Sequence, residues 1–332
     1  MSYEKEALYY NSLSNKEVKC SLCPHNCNIK EDKLGLCRVR YNNNGILYSL
    51  SYGKTTALAV DPIEKKPLYH FYPNSTILSV GSFGCNLSCG FCQNYRIAHS
   101  QPDYKYISPE LLCNIAEDAK QTGSVGVAFT YNEPSIWYEY IYDTAKLLKK
   151  NDIKTVLVTN GYIELEPLKD LIPYIDAMNI DVKAFTESFY KKNCKGKLND
   201  VKRTVEFCSK KTHIEITTLL IPSENDSSKE ITDLVSWISS INSDIPIHLS
   251  RYFPAFKFKQ HPTPENTMYL AKEIASKYLA FVYMGNIPGI DNNTYCKICQ
   301  NLVINRNNYE VNVRGIQNNS CKECGNPINI AM

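Results

Sequence analysis

The sequence predicts an α/β fold. Residues 74–286 read as a partial (β/α)6 TIM-like barrel, 1–73 as a small cysteine-rich N-terminal extension, and 287–332 as a C-terminal zinc-ribbon or rubredoxin-like module. Three observations predict this. Short apolar, β-branched runs alternate with stretches of helical spacing through the middle of the chain, the pattern of a parallel sheet with right-handed crossovers. No G-x-G-x-x-G follows the first run, as a dinucleotide-binding sheet needs. Eleven of the 14 cysteines fall into three tight groups, at 20–37, 85–92 and 296–324, and the outer two flank the alternating region.

In chain order, the first barrel strand is expected at Thr76–Phe83, with later ones at Ser124–Tyr131, Thr155–Asn160, Ala177–Lys183, His213–Ile221, Ile245–Phe253 and Leu279–Gly285. The helix over Ser108–Gln121 opens with Ser-Pro-Glu, an N-cap followed by proline at the first helical position. The helix over Ser135–Lys150 ends in two lysines, which suit the negative end of its dipole. Helices are also expected at Glu164–Tyr174, Asp200–Lys211, Ser228–Asn242 and Thr263–Lys277.

Composition bounds the function. At 43% apolar the chain can build a large core. With 37 Lys+Arg against 34 Asp+Glu the net charge is only +3, which argues against a general nucleic-acid binder. No run approaches the ~18 apolar residues of a membrane span. The N-terminus lacks an apolar signal core and reads as cytoplasmic. In a reducing compartment, grouped cysteines point to metal or iron–sulfur ligation rather than disulfides. Cys113, Cys194 and Cys208, outside the groups, read as ordinary thiols.

In such folds chemistry collects at the C-terminal ends of the strands. After the first strand come Cys85, Cys89 and Cys92 in a C-x3-C-x2-C loop. Three thiolates can hold three irons of a cubane and leave the fourth open, whereas a structural cubane wants four. The plain alternative is a zinc site completed by His99. With Phe91 before the third cysteine, the loop resembles the signature of the radical SAM superfamily. That resemblance implies a [4Fe–4S] cluster whose open iron chelates S-adenosylmethionine (SAM) and, when reduced, cleaves it to a 5′-deoxyadenosyl radical that takes hydrogen from a substrate.

The resemblance extends to other strand ends. Asn132-Glu133-Pro134 is similar to the Gly-Gly-Glu-Pro stretch that receives the cofactor's amino group, with Tyr131 and Asn132 in place of the glycines. Thr159-Asn160-Gly161 and Asp181-Val182-Lys183 resemble stretches of pyruvate formate-lyase activating enzyme, where the Asp and Lys lie beside the cofactor carboxylate. Two departures bear on the monovalent cation near that site: Val158 stands where that enzyme has an aspartate, and Thr217 where it has an arginine. Cofactor contacts are therefore expected from Phe91, Glu133, Asn160, Asp181, Lys183 and Thr217. A common turn at Thr159–Gly161 and a simple Asp181–Lys183 ion pair are the plainer readings.

Cys296-x2-Cys299 and Cys321-x2-Cys324, 21 residues apart, have the spacing of a four-sulfur zinc site, with mononuclear iron second. Leu302–Ile304 and Tyr309–Val313 read as its strands. Four basic against three acidic residues from Asn286 onward exclude a basic nucleic-acid face. Cys20, Cys23, Cys27 and Cys37 read as ligands of zinc or an auxiliary cluster, with zinc slightly ahead and His25 as a surface residue.

From about Cys20 to Cys324 the whole layout is similar to the radical SAM enzyme of the AmmeMemoRadiSam system, including Asp61–His70 and Phe129–Pro134. That implies Memo-like and AMMECR1-domain proteins as functional neighbours, and a one-electron reductant such as ferredoxin or flavodoxin. Asp61–His70 reads as an edge closing the barrel or as a substrate contact over its mouth. Arg251 is the substrate candidate, with Tyr252 to Phe258 as a cavity wall. The competing function is a non-catalytic iron–sulfur electron-transfer protein.

Overall fold

The computed structural model describes residues 5–307 and 309–332. Its centre is one eight-stranded sheet: β1 (Ala57–Pro62), β2 (Thr76–Gly81), β3 (Ser124–Phe129), β4 (Lys154–Thr159), β5 (Ala177–Asp181), β6 (His213–Leu220), β7 (Ile247–Arg251) and β8 (Val282–Gly285). Strands neighbour one another in chain order. The seven from β2 to β8 are parallel and β1 runs antiparallel to β2. The seven parallel strands fall where the seven apolar runs predict them. β1 belongs to the sheet although it lies within residues 1–73. It escapes periodicity because most of its side chains are exposed or half-exposed, so no face of it carries a burial signal.

The crossovers are α1 (Pro109–Lys120), α2 (Tyr138–Lys150), α3 (Leu165–Leu171), α4 (Leu198–Cys208), α5 (Ser228–Ile241) and α6 (Glu265–Ser276). Ser108 caps α1, its Oγ accepting from the Leu111 N–H at 3.2 Å, and Ser227 caps α5 through the Glu230 N–H at 3.2 Å. The buried face of α1, Leu112, Cys113, Ala116 and Ala119, follows helical spacing. Among the described residues no helix is long and apolar enough to cross a membrane.

Before the sheet, Tyr10–Ser12, Val18–Cys20 and Asn28–Ile29 form a small antiparallel sheet, and Arg40–Asn43 pairs with Ile46–Ser49. The hairpin turn is Asn44-Gly45, both at positive φ (53° and 84°), as a type I′ turn requires. Val18, Leu22, Ile29 and Leu47 share one core with the sheet and its helices. Arg40 reaches Glu139 of α2 with two bonds, at 2.8 and 3.1 Å, and both side chains are at most 1% exposed. Losing either partner would strand a buried charge, a cost of about 3–5 kcal/mol, so this pair pins the extension in register on α2.

After the sheet, Thr294–Tyr295, Leu302–Asn307 and Glu310–Val313 form a second antiparallel sheet, and Ile316–Gln317 pairs with Ser320–Cys321. Val303, Ile304, Val311, Ile316, Ile328 and Ile330 build a separate core against Phe281 and Tyr283. The chain end meets the segment before β2: the Tyr72 N–H donates to the Ala331 carbonyl at 2.8 Å, and the Ala331 N–H to that of His70 at 2.9 Å. Glu215, on β6 and fully buried, ties this segment to the sheet. It accepts from the backbone N–H of Tyr69 (3.0 Å) and His70 (2.7 Å) and bonds the rings of His213 (3.0 Å) and His248 (2.6 Å).

Candidate functional site

Side chains from the C-terminal ends of β2 to β8 line a single cavity of about 270 Å³. Strand ends so far apart in a sequential sheet can meet only if the sheet curls. Cys85, Cys89 and Cys92, together with Phe91, Glu133, Asn160, Asp181, Lys183 and Thr217, all lie on its wall. The sequence places each of these at a strand end, and the fold brings all nine together.

Glu133 is the hub of this wall. Its Oε1 accepts from the Thr159 hydroxyl at 2.6 Å and the Ser135 N–H at 2.9 Å, and its Oε2 from the Asn160 N–H at 2.8 Å. The carboxylate thus locks the end of β4 to the turn after β3. Burial outweighs these bonds and raises its pKa, so the ionised form gains from any cation brought into the cavity. Asn160 passes the contact to the cysteine loop, with its amide 2.9 Å from Asn86 Oδ1 and 3.7 Å from Cys85 Sγ. Lys183 Nζ lies 2.6 Å from Asp181 Oδ2. Burial works against the lysine's charge, but Asp181 and Cys89 prevail and raise its pKa. Thr217 donates to Asn179 Oδ1 at 2.9 Å.

Burial pushes the thiols of Cys85 and Cys92 above the ordinary range, and the neighbouring Cys194 followed by burial does the same for Cys89. Thiolates there need a cation to offset their desolvation, which the irons of a cluster would supply. The donor set therefore fits a [4Fe–4S] group with one iron left for a ligand. Cys194 ends a five-residue π-helix (Tyr190–Cys194), is fully buried, and its carbonyl takes the Ser88 N–H at 2.8 Å. No sequence signal marks it, because a distant segment brings it to the cysteine loop.

Tyr131, in the place of a family glycine, has φ 72°, in the left-handed region that favours glycine. Its hydroxyl donates to Asp61 Oδ2 at 3.0 Å and the Lys66 ammonium lies 4.9 Å from its ring. The glycine-like backbone survives because the side chain is anchored at its far end. Tyr131, Ser250 and Asn286 also border a second cavity of about 750 Å³, walled by Asp61, Lys65, Lys66, Tyr69, Arg306 and Tyr309. The Asp61–His70 stretch thus supplies both the end of an edge strand and a wall of this lateral cavity.

Other expectations are corrected. Arg251 lines neither cavity: its Nη1 pairs with Glu265 at 2.9 Å and its Nε donates to the Thr263 carbonyl at 2.8 Å. Alternation along β7 turns Ser250 inward and Arg251 away. The aromatic run packs behind the cysteine loop instead of walling the cavity. Phe258 meets Phe91 with centroids 5.5 Å apart, and Phe256 stacks on Tyr95 at 4.8 Å. His99 is engaged elsewhere, its Nδ1 bonding Arg38 Nη1 at 3.1 Å.

At the C-terminus, Cys296, Cys299, Cys321 and Cys324 bring their sulfurs within 4.8 Å of one another, with two pairs at 3.6 Å. A tetrahedral site with metal–sulfur bonds of about 2.3 Å puts sulfurs about 3.8 Å apart, so these four fit one ion. Backbone N–H groups of Cys324 and Glu323 pull the Cys321 thiol down to about 6. Cys20, Cys23, Cys27 and Cys37 surround a different small cavity with Arg40 and Ile136, and among the described residues no three of their sulfurs approach to within 4.8 Å of one another.

A curled parallel sheet with a three-cysteine loop at the end of its first parallel strand frames a site that fits an iron–sulfur cluster with one iron left open. Residues 79–235 match the radical SAM superfamily, and the chain belongs to it. It is 39% identical over 338 residues to uncharacterized protein MJ0808 of Methanocaldococcus jannaschii, covering 99% of this chain and 100% of that one. It is 26% identical over 176 residues to the pyruvate formate-lyase-activating enzyme of Clostridium pasteurianum, covering 51% of this chain and 72% of that enzyme. The crystal structure of Streptococcus suis SuiB bound to S-adenosylmethionine shares the fold, with a TM-score of 0.51 at 16% identity over 67% of this chain. The chain spans about half of SuiB, 52% of its length.

Proposed function

We propose that this protein is a SAM-cleaving enzyme of the activating type, acting on a glycyl residue or another site in a partner protein. The observation that supports it is the convergence of Cys85, Cys89 and Cys92 with the Glu133 hub and the Asp181–Lys183 pair on one cavity. Bound there, the cluster would supply one electron to the sulfonium of SAM, releasing methionine and the 5′-deoxyadenosyl radical that abstracts hydrogen. The residues divide the remaining work. Glu133 uses three of its roughly four acceptor sites within the protein, which leaves one for the ammonium of the cofactor. Lys183, held by Asp181, is the cation for its carboxylate. Phe91 and Leu87 keep the sulfur loop dry.

The lateral cavity is the place for the substrate, since it shares walls with the cofactor cavity and has room for a peptide segment. Ferredoxin or flavodoxin is the proposed reductant, and Memo-like and AMMECR1-domain proteins are the proposed neighbours. The C-terminal four-sulfur site is proposed to hold zinc in preference to iron, and the enzyme to work in the cytoplasm. The N-terminal extension, the sheet and the C-terminal module are read as three functional regions.

The test is anaerobic reconstitution, dithionite reduction with SAM, and chromatography for 5′-deoxyadenosine, with Cys89→Ala as control. Product from the wild type alone is expected. A reducible wild-type cluster whose EPR spectrum does not respond to SAM refutes the proposal and favours the electron-transfer reading.

A further inference from the structure

The two outer cysteine groups have the same ligand count and different geometry. The C-terminal sulfurs already stand at single-ion spacing, with pairs at 3.6 Å. The N-terminal four share one cavity, yet no three of their sulfurs come within 4.8 Å of one another. Cys85, Cys89 and Cys92 form no such close group either, and theirs is the loop that carries the cluster signature. A cubane binds each thiolate at a different corner, so its ligands stand further apart than those of one tetrahedral ion. Within a single chain, the N-terminal site therefore resembles the cluster loop and not the single-ion site.

A second feature of this cavity asks for an acceptor. Arg40 lines it and is 1% exposed. Its Nη atoms are used by Glu139 and the Leu8 carbonyl, while its Nε has no partner. A buried N–H left unpaired costs about 1–3 kcal/mol. Sulfur atoms carrying negative charge in the cavity it borders would meet that donor.

The site also leans on the catalytic loop. The His25 ring, between Cys23 and Cys27, bonds the carbonyl of Asn86 through Nε2 at 2.7 Å, directly after Cys85. Gly84, directly before Cys85, is at φ 85°, and a Cβ there would lie 2.8 Å from the Cys37 carbonyl and 2.7 Å from Val39 Cγ1. The two cysteine loops are in contact on both sides of Cys85. A zinc ion in that position would be redox-silent.

We infer that Cys20, Cys23, Cys27 and Cys37 hold a second iron–sulfur cubane, packed against the catalytic cysteine loop, and not a zinc ion. The inference stands independently of SAM cleavage. The measurement is acid-labile sulfide, iron and zinc per chain in the full-length protein after anaerobic reconstitution. About eight sulfides per wild-type chain are expected, four for each cubane. Cys20→Ser/Cys37→Ser should retain about four. The Cys85→Ala/Cys89→Ala/Cys92→Ala variant should also retain about four, together with an EPR signal on reduction that SAM does not alter. About four sulfides in the wild type, with a second zinc or without one, would overturn the inference. A folded triple variant devoid of sulfide would do the same. Because the wild-type count needs no variant, a misfolding mutant leaves the decision intact.

Discussion

Replacing Glu133 by glutamine separates two jobs that one carboxylate performs. Glutamine keeps the shape and one acceptor oxygen, which can still serve Thr159 and Ser135. Its amide nitrogen then faces the Asn160 N–H, donor against donor, where Oε2 now accepts at 2.8 Å. One bond to a charged acceptor is lost and a buried N–H is stranded, which should cost about 2–3 kcal/mol of stability. The second loss is the charge offered to an ammonium, worth about 1.5–3 kcal/mol, or roughly 10- to 150-fold weaker SAM binding. Denaturant unfolding reads the first quantity, and titration of SAM into the anaerobic cluster-loaded protein reads the second. A destabilised Glu133→Gln protein that binds SAM as the wild type does would refute the cofactor contact. Unchanged stability would refute the strand-end lock.

Other substitutions test the frame. Gly84→Ala places a methyl on a left-handed backbone against Cys37 and Val39, and should cost about 2–3 kcal/mol and loosen the N-terminal loop, seen as faster amide exchange at residues 23–39. For Glu215, burial alone would raise the pKa, but His213 and His248 hold the carboxyl well below the usual range. Its stabilising effect is thus complete above an unfolded pKa of about 4.3 and is lost as the pH falls further, through the folded value. Glu215→Gln should therefore cost about 2–4 kcal/mol at pH 7 and much less near pH 3, and an equal penalty at both would contradict the linkage. Removing the metal from the C-terminal four-sulfur site with a chelator should unfold residues 294–330, whose own core is small. Retained exchange protection there would show that the metal is dispensable to the fold.

The local signals in this sequence were sufficient for the seven parallel strands, the serine cap of α1, and the cysteine groups. Each depends on neighbours in the chain: β-branched runs, Ser-Pro-Glu, and thiols two or three residues apart. The strand-end rule then placed Glu133, Asn160, Asp181, Lys183 and Thr217 on the cavity wall, because in a sequential parallel sheet every strand ends on the same side. Only the tertiary structure decided the rest. Whether Ser250 or Arg251 faces the cavity is a matter of register, and one residue reverses it. β1 carries no burial pattern because it lies at an exposed edge. Cys194 reaches Cys89 across more than a hundred residues, and no short-range pattern can report such a contact. The two four-cysteine groups are alike as ligand counts, and they part only in the distances between their sulfurs, which packing sets and spacing along the chain does not.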